Sequence, residues 1–422
     1  MTIGDVGLIS GRPAAIRSTA DVLARSTASL GAKRASGFNV TVHASIHEID
    51  PDEWNEIVGE GRAWQTHAAL ALLQDGGIED YRARYLVLRT KDGRIAAHTT
   101  AYIIETDLLI FSQGVLKLLL DKIRRVLPNF LRPSILECGC PVSAGNPICL
   151  REGIAYADVL APLCDALEQI AAKEGIRFLL LRDFVDEELA ELPEWAGHGF
   201  SRIPNLPSTE LAIKWRSFEE YVLAMRSRHR QKIRRGLRFA QRAGLSARWT
   251  NEFAGMVDEL ARQWSNVNAQ AKEYSRDRLT PEFFRNLNSA FGSRCRLLQI
   301  LHDERMVAHA LVVSDGPLLR WILFGRENGE ARDGAYFLVI ARIIAFAIEQ
   351  GSERIEMGLT TYSPKTDFGA RMVPLWMFAR VRGVLPRMLV PMLFRLLNPV
   401  PDIRDRACFR SPEDAVLPEP AS

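Results

Sequence analysis

The strongest pattern of apolar and polar positions runs from Leu318 to Phe378. An apolar strand pattern, Leu318 to Phe324, leads into a polar turn rich in Gly and Asp. A helix is expected from Gly334 or Ala335, because Phe337, Ile340, Ile344 and Ile348 recur at helical spacing and Gly351 supplies a stop. A second strand follows over Arg354 to Leu359. Then come a polar loop carrying Tyr362, Lys365 and Asp367, and a last apolar strand around Leu375 to Val381. Strand, turn, helix and strand make a crossover unit. The first turn of its helix presents unpaired N–H groups that attract phosphate.

The earlier part of the chain repeats this order. Alternation from Val40 reads as a strand, "DPDEWNEIV" as a short capped helix, and "YLVLRTKDGRIAAHTTAYIIE" as a hairpin around Lys91-Asp92-Gly93. "GRIAAHTTAYI" (93–103) aligns with "ERMVAHALVVS" (304–314), placing His98 on His309, 211 residues on. "YADVLAPLCDALEQIAAKEGIRFLLL" (156–181) echoes "YFLVIARIIAFAIEQGSERIEMGL" (336–359), placing Glu168-Gln169 on Glu349-Gln350, 181 residues on. Two matches in the same order predict two similar α/β lobes. The change of offset predicts about 30 extra residues in the first lobe, between Asp107 and Leu150. That insert holds "GVLKLLLDKIRRVLPNFLRP", in which Leu116, Leu119, Leu120, Ile123, Leu127, Phe130 and Leu131 follow helical spacing, with Lys117, Lys122, Arg124 and Arg125 on other faces. Such a helix suits an anionic membrane surface, the rim of a pocket for a greasy substrate, or plain packing on its own lobe.

Between the lobes, "LPSTELAIKWRSFEEYVLAM" supplies a strand and a helix, and a basic helix follows, "RSRHRQKIRRGLRFAQRAG". It carries Arg226, Arg228, Arg230, Lys232, Arg234, Arg235, Arg238 and Arg242 without an acid, and Arg230, Arg234 and Arg238 share a face. Such density suits phosphates of a cofactor, a lipid headgroup or RNA, or a solvated face neutralised by acids of the first lobe. Only Phe239 interrupts it, too little aromatic content for single-stranded nucleic acid. Near the C-terminus Leu385, Met388, Leu389, Met392 and Leu396 form a second amphipathic stripe, broken by Pro386 and Pro391. The expected organisation is a disordered tail (1–38), a first lobe (39–207) with its insert near 108–150, a second lobe (208–385), and an amphipathic, disordered tail (386–422).

Composition narrows the classes. The 422 residues carry 54 Lys and Arg against 51 Asp and Glu, a net +3 too mild to imply a partner such as DNA. No apolar run approaches eighteen residues, and no apolar segment opens the chain as a secretion signal. The six cysteines form no Cys-x-x-Cys pair and read as reduced thiols of a cytoplasmic protein, although Cys138-Gly-Cys140 also admits metal or redox chemistry. No Ser–His–Asp or metal-ligand spacing points to a hydrolase or metalloenzyme.

The basic helix, "RMVAHALVV" (305–313), and "AYFLVIARIIAFAIEQGSERIEMGL" running into "YSPKTDFGAR" together resemble the GNAT acyl-CoA N-acyltransferase superfamily, in its double-lobed branch related to Fem-type aminoacyltransferases. The resemblance covers most of the second half and, more faintly, the first. It implies an α/β (α+β) fold of tandem lobes, each a mixed, mostly antiparallel sheet flanked by helices. It also implies that backbone amides at Gly334, Ala335 and Tyr336 cradle the pyrophosphate of an acyl-CoA co-substrate, with no permanently bound cofactor. Arg326 or Arg332 would pair with phosphate, and Arg230 and Arg234 of the basic helix would add cationic contacts. The turn "RENGEARDGA" departs from the usual Gln/Arg-x-x-Gly-x-Gly/Ala pattern, which leaves the acyl carrier open.

Amide formation from a thioester requires a held amine, a proton acceptor, oxyanion stabilisation and a proton for the leaving thiolate. Glu356 on the strand after the helix suits the base, directly or through water, and His309 on the hairpin strand suits a share of that role. Tyr362 suits protonating the thiolate or orienting substrate, and Lys365 suits anchoring an anionic group. The plain alternatives are a satisfied core histidine, repeated by His98, and a surface strand position for Glu356. The expected activity is transfer from acyl-CoA to an amine, with a long-chain or lipid amine as in bacterial GNAT-type ceramide synthases, in the cytoplasm or at the inner membrane face. The alternatives are Fem-like transfer from aminoacyl-tRNA to a peptidoglycan precursor, and a non-catalytic binding protein.

Overall fold

Fifteen strands fall into two sheets in the computed structural model, which describes residues 37–107, 114–128, 130–189, 195, 197–270, 278–329, 332–382 and 406–418. The first sheet holds β1 (Asn39–His43), β2 (Arg82–Arg89), β3 (Ile95–Glu105), β4 (Ser134–Cys138), β5 (Ile148–Leu150), β6 (Phe178–Phe184) and β7 (Ser201–Pro204). The second holds β8 (Ser208–Ala212), β9 (Leu245–Thr250), β10 (Cys295–His302), β11 (Arg305–Asp315), β12 (Leu318–Arg326), β13 (Arg354–Glu356) and β14 (Arg371–Val373). In each sheet a single pair is parallel, β4 with β6 and β12 with β13, while the other pairs are antiparallel. The tandem, mostly antiparallel α/β architecture is therefore the one the pattern implied.

The fifteenth strand decides how the lobes join. β15 (Trp376–Val381) lies not beside its sequence neighbours but between β6 and β7 of the first sheet. Reciprocally, β8 lies between β13 and β14 of the second sheet. It follows β7 as β15 follows β14 and so ends the first repeat, although the expected boundary at 207/208 assigned it to the second lobe. The lobes thus exchange one strand each, and each sheet is completed by the other half of the chain.

The repeat is real, and its register departs from the sequence alignment only in the second match. β3 begins at Ile95 and β11 at Arg305, 210 residues on, while β6 begins at Phe178 and β13 at Arg354, 176 on rather than 181. The crossover helices Tyr156–Lys173 and Arg332–Glu349 are both 18 residues long and share the offset of 176, so the shared Glu-Gln pair does not mark equivalent positions. The second helix begins two residues before Gly334 and stops before Gly351, whose φ of +67° lets the chain turn there. Leu338, Val339, Ile340, Ile343, Ile344 and Ala347 bury against the sheet. On the other side Phe337 meets the basic helix, Ser227–Arg242, at Gly236, where a Cβ would stand 2.4 Å from the phenyl ring.

Three local expectations change. The insert helix covers only Gly114–Val126, because Pro128 disfavours helical geometry at Leu127, so Phe130 and Leu131 lie beyond it. The strand expected over Arg354 to Leu359 ends at Glu356, and the expected loop at Tyr362 is a short helix, Tyr362–Asp367. Residues 406–418, placed by sequence in a disordered tail, return to the second lobe. Phe409 stacks on Trp215 and Cys408 donates to Thr366 O at 3.1 Å, both residues buried. The N-terminal tail and the apolar stripe from Leu385 to Leu396 lie outside the described residues. Among the described residues no helix is long and apolar enough to cross a membrane.

Candidate active site

β12 and β13 pair only over Leu318–Arg320 and Arg354–Glu356, then part. β12 runs on to Arg326 against β11, with a register break at Leu311/Val312 that leaves Ile322 as an extra residue. The other chain bends toward β8, with Met357 N donating to Thr209 O at 2.7 Å and Thr209 Oγ1 to Gly358 O at 2.6 Å. Thr360 and Thr361 then take left-handed φ values of +68° and +50°, conformations that cost a β-branched residue free energy and cluster at ligand sites. A wedge opens between the two strands and holds a cavity of about 350 Å³.

Aromatic rings wall the wedge. Trp321, Phe324 and Tyr336 pack on one another, with centroid separations of 5.6 Å for Trp321–Tyr336 and 4.9 Å for Phe324–Tyr336, and Trp264 lines the opposite side. Tyr336 stands in the second turn of the crossover helix. Its hydroxyl engages Thr361, and burial pushes its pKa up.

Two charged groups enter this wall. Lys365 is buried, its Nζ donating to the carbonyls of Thr360 (2.8 Å), Gly358 (3.2 Å) and Leu359 (3.4 Å), 5.8 Å from the Trp321 ring centroid. Burial lowers its pKa to about 7, against the opposing pull of Glu356. At the wedge apex Glu356 accepts from Arg320, its cross-strand partner. Arg320 also donates to Asp315 (3.0 Å) and, across to the first lobe, to Gly61 O (2.6 Å) and Ala144 O (3.2 Å).

Glu356 and Arg320 also face a second cavity of about 610 Å³ between the lobes, lined by Glu60, Glu187, Glu188, Glu210 and Arg354 among others. Ser143 and Ala144 line both spaces as well. The two cavities meet at the Arg320–Glu356 pair.

The structure thus brings Glu356, Lys365 and Tyr336 together and sets the other anticipated residues elsewhere. His309 is fully buried, its ring against Gly325 and its Nδ1 3.0 Å from Gln263 Oε1, and burial holds its pKa down at about 3. His98, its counterpart, stacks on Trp54 with Nε2 2.9 Å from Trp54 O. Tyr362 is buried, donates to Pro207 O at 3.1 Å, and lines neither cavity. Arg326 ends β12 and donates to Gln270 at 3.1 Å. Gly334 and Ala335 are buried, Gly334 beside Phe239 of the basic helix, and the side chain of Arg332 lies outside the described residues. Arg230 turns back to Met225 O at 3.3 Å, and Arg234 pairs with Glu219 at 2.6 Å.

Sequence reading passed over Arg320, the Trp321–Phe324–Trp264 wall and the acids of the inter-lobe cavity. One signal for Arg320 was present: a lone charge inside the apolar run "LLRWILF".

A family model described as peptidoglycan biosynthesis/recognition, FemAB-like, matches residues 45–361. The chain belongs to the FemAB-like family. Among curated proteins, "Putative 8-amino-7-oxononanoate synthase 2" of Mycobacterium tuberculosis is 29% identical over 321 residues, covering 73% of this chain and 41% of that protein. The FemAB-like chain therefore spans less than half the length of the curated relative it matches. Among solved structures, FemX aligns with a TM-score of 0.51 at 12% identity, covering 82% of this chain and 98% of that one. The C-terminal domain of a "Putative Lysylphosphatidylglycerol Synthetase" from Agrobacterium fabrum aligns with a TM-score of 0.50 at 13% identity, covering 82% and 96%. These likenesses show the fold alone, a double-lobed Fem-like architecture.

Proposed function

We propose that this FemAB-like chain is an N-acyltransferase that moves an acyl group from acyl-CoA to an amine in the β12/β13 wedge. The observation that carries the reading is the wedge itself, an aromatic-walled slot beside the start of the crossover helix, with a carboxylate at its apex and a buried lysine in its wall. A thioester in the slot places its acyl group among Trp321, Phe324 and Tyr336. The ammonium gives one proton to Glu356, directly or through water, and the freed nitrogen attacks the carbonyl carbon. Collapse of the tetrahedral species breaks the C–S bond, and the second nitrogen proton goes to the departing thiolate. Lys365 supplies positive charge near the developing oxyanion.

The acceptor is proposed to be a long-chain amine. The insert helix supports a membrane-surface setting. Leu118, Val126 and Leu127 are 66%, 79% and 56% exposed, and Lys122 and Arg125 are exposed beside them, a combination suited to an anionic bilayer.

The test is release of free thiol from palmitoyl-CoA by the purified chain with dodecylamine, with vesicles of phosphatidylglycerol added or omitted. Stoichiometric amide and thiol are expected; thioester binding without turnover of any amine sinks the reading. A second reading, an aminoacyl-tRNA donor, is favoured by the exposed Arg228, Arg235, Arg238 and Arg242 on the basic helix. RNase-sensitive activity would select it.

A further inference from the structure

We propose that the inter-lobe cavity is a binding site for a cationic amine and excludes phosphate-bearing acceptors. As the acceptor site this rests on the acyltransferase reading; as a cation site it does not. The cavity is lined by six carboxylates, of which Asp183, Glu356 and Glu210 pair with Arg182, Arg320 and Arg354. The excess acid is therefore Glu60, Glu187 and Glu188 against Arg62, and the lining arginines are already engaged. Arg62 donates to Ile148 O at 2.7 Å, Arg320 holds Asp315 and Glu356, and Arg354 lies 3.3 Å from Glu210. Glu188 is held only by neutral donors, Asn146 Nδ2 and Val185 N, each at 2.9 Å. Among the described residues Glu60 and Glu187 form no ion pair, nor does Glu188.

Two polar atoms in the wall lack a hydrogen bond. Ser208, 2% exposed, has an Oγ without a hydrogen bond, and Oε2 of Glu210 has no hydrogen bond, only the ion-pair contact with Arg354 Nε at 3.3 Å. Both belong to β8, two residues apart and therefore on one face of the exchanged strand. An ammonium donates three hydrogen bonds and carries the charge this lining lacks, whereas a phosphate meets carboxylates on most sides. Val373, Leu375 and Leu417 give the same cavity an apolar side for the carbon chain of such an amine. The floor is the Arg320–Glu356 pair, so the bound nitrogen lies next to the wedge.

The test is calorimetry with the full chain, no thioester present, using dodecylamine and dodecyl phosphate below their micellar concentrations. Dodecylamine is expected to bind at least tenfold more tightly than dodecyl phosphate. Glu210→Gln should weaken the amine about tenfold and leave palmitoyl-CoA binding unchanged. Glu60→Gln, at the exposed rim where folding is not at stake, should weaken it about threefold. Equal affinity for amine and phosphate, or wild-type amine binding in both variants, overturns the proposal. Selective amine binding with no thiol release from any thioester leaves the cation site standing and removes the acyltransferase reading.

Discussion

Arg320 and Glu356 face each other at the last paired position of β12 and β13, and the same guanidinium holds Gly61 and Ala144 of the first lobe. One residue therefore fixes the wedge apex, the candidate base and the contact between lobes.

Arg320→Met is expected to leave Glu356 and Asp315 buried without their guanidinium, and the cost is on the order of 3–5 kcal/mol. Urea denaturation monitored by tryptophan fluorescence measures it. A loss below about 1 kcal/mol would show that the pair contributes little to the joint.

Glu356→Gln keeps the shape and the Arg320 contact while removing the proton acceptor. With palmitoyl-CoA and dodecylamine, kcat should fall on the order of 100-fold or more, with little change in the KM for thioester. An unchanged kcat would assign the base to another group.

Lys365 makes stability depend on pH. Burial holds its pKa at about 7, while an unfolded lysine keeps roughly 10.4. Between these values the unfolded chain binds the extra proton, so stability rises with pH, and it levels off below 7 where both states are protonated. Relative to Lys365→Met, the wild type should gain up to about 1.4 kcal/mol per pH unit across that window. Parallel urea midpoints for the two proteins at pH 7, 8 and 9 would refute the depressed value.

At Gly236 the usual sign of a helix substitution should reverse. Alanine for glycine inside an exposed helix ordinarily stabilises by about 0.5–1 kcal/mol. Here the added methyl meets the Phe337 ring at 2.4 Å, so Gly236→Ala should destabilise by about 1–3 kcal/mol in thermal unfolding. Gly236→Ala with Phe337→Leu should recover part of the loss.

The hydrophobic periods of the sequence determined the elements and their order. The run Phe337, Ile340, Ile344, Ile348 specified the crossover helix, "LLRWILF" specified β12, and the repeated hairpin specified two lobes, because spacing alone decides which face of an element avoids water. The nearness of Glu356, Lys365 and Tyr336 to one another was legible for the same reason: those residues lie within one crossover unit, and short loops bring its ends together. Partners were not legible. Strand "WMFARV" reads the same whichever sheet receives it, since ladder hydrogen bonds use backbone groups common to all residues, and only packing placed β15 beside β6 and β8 beside β13. That exchange sets Ser208 and Glu210 against Glu60 and Glu187, residues remote in sequence, and so the acidic cavity exists only in the tertiary structure. His309 shows the converse. Its side chain suits catalysis, but its depth in the sheet, against Gly325 and Gln263, was decided by the strands on either side.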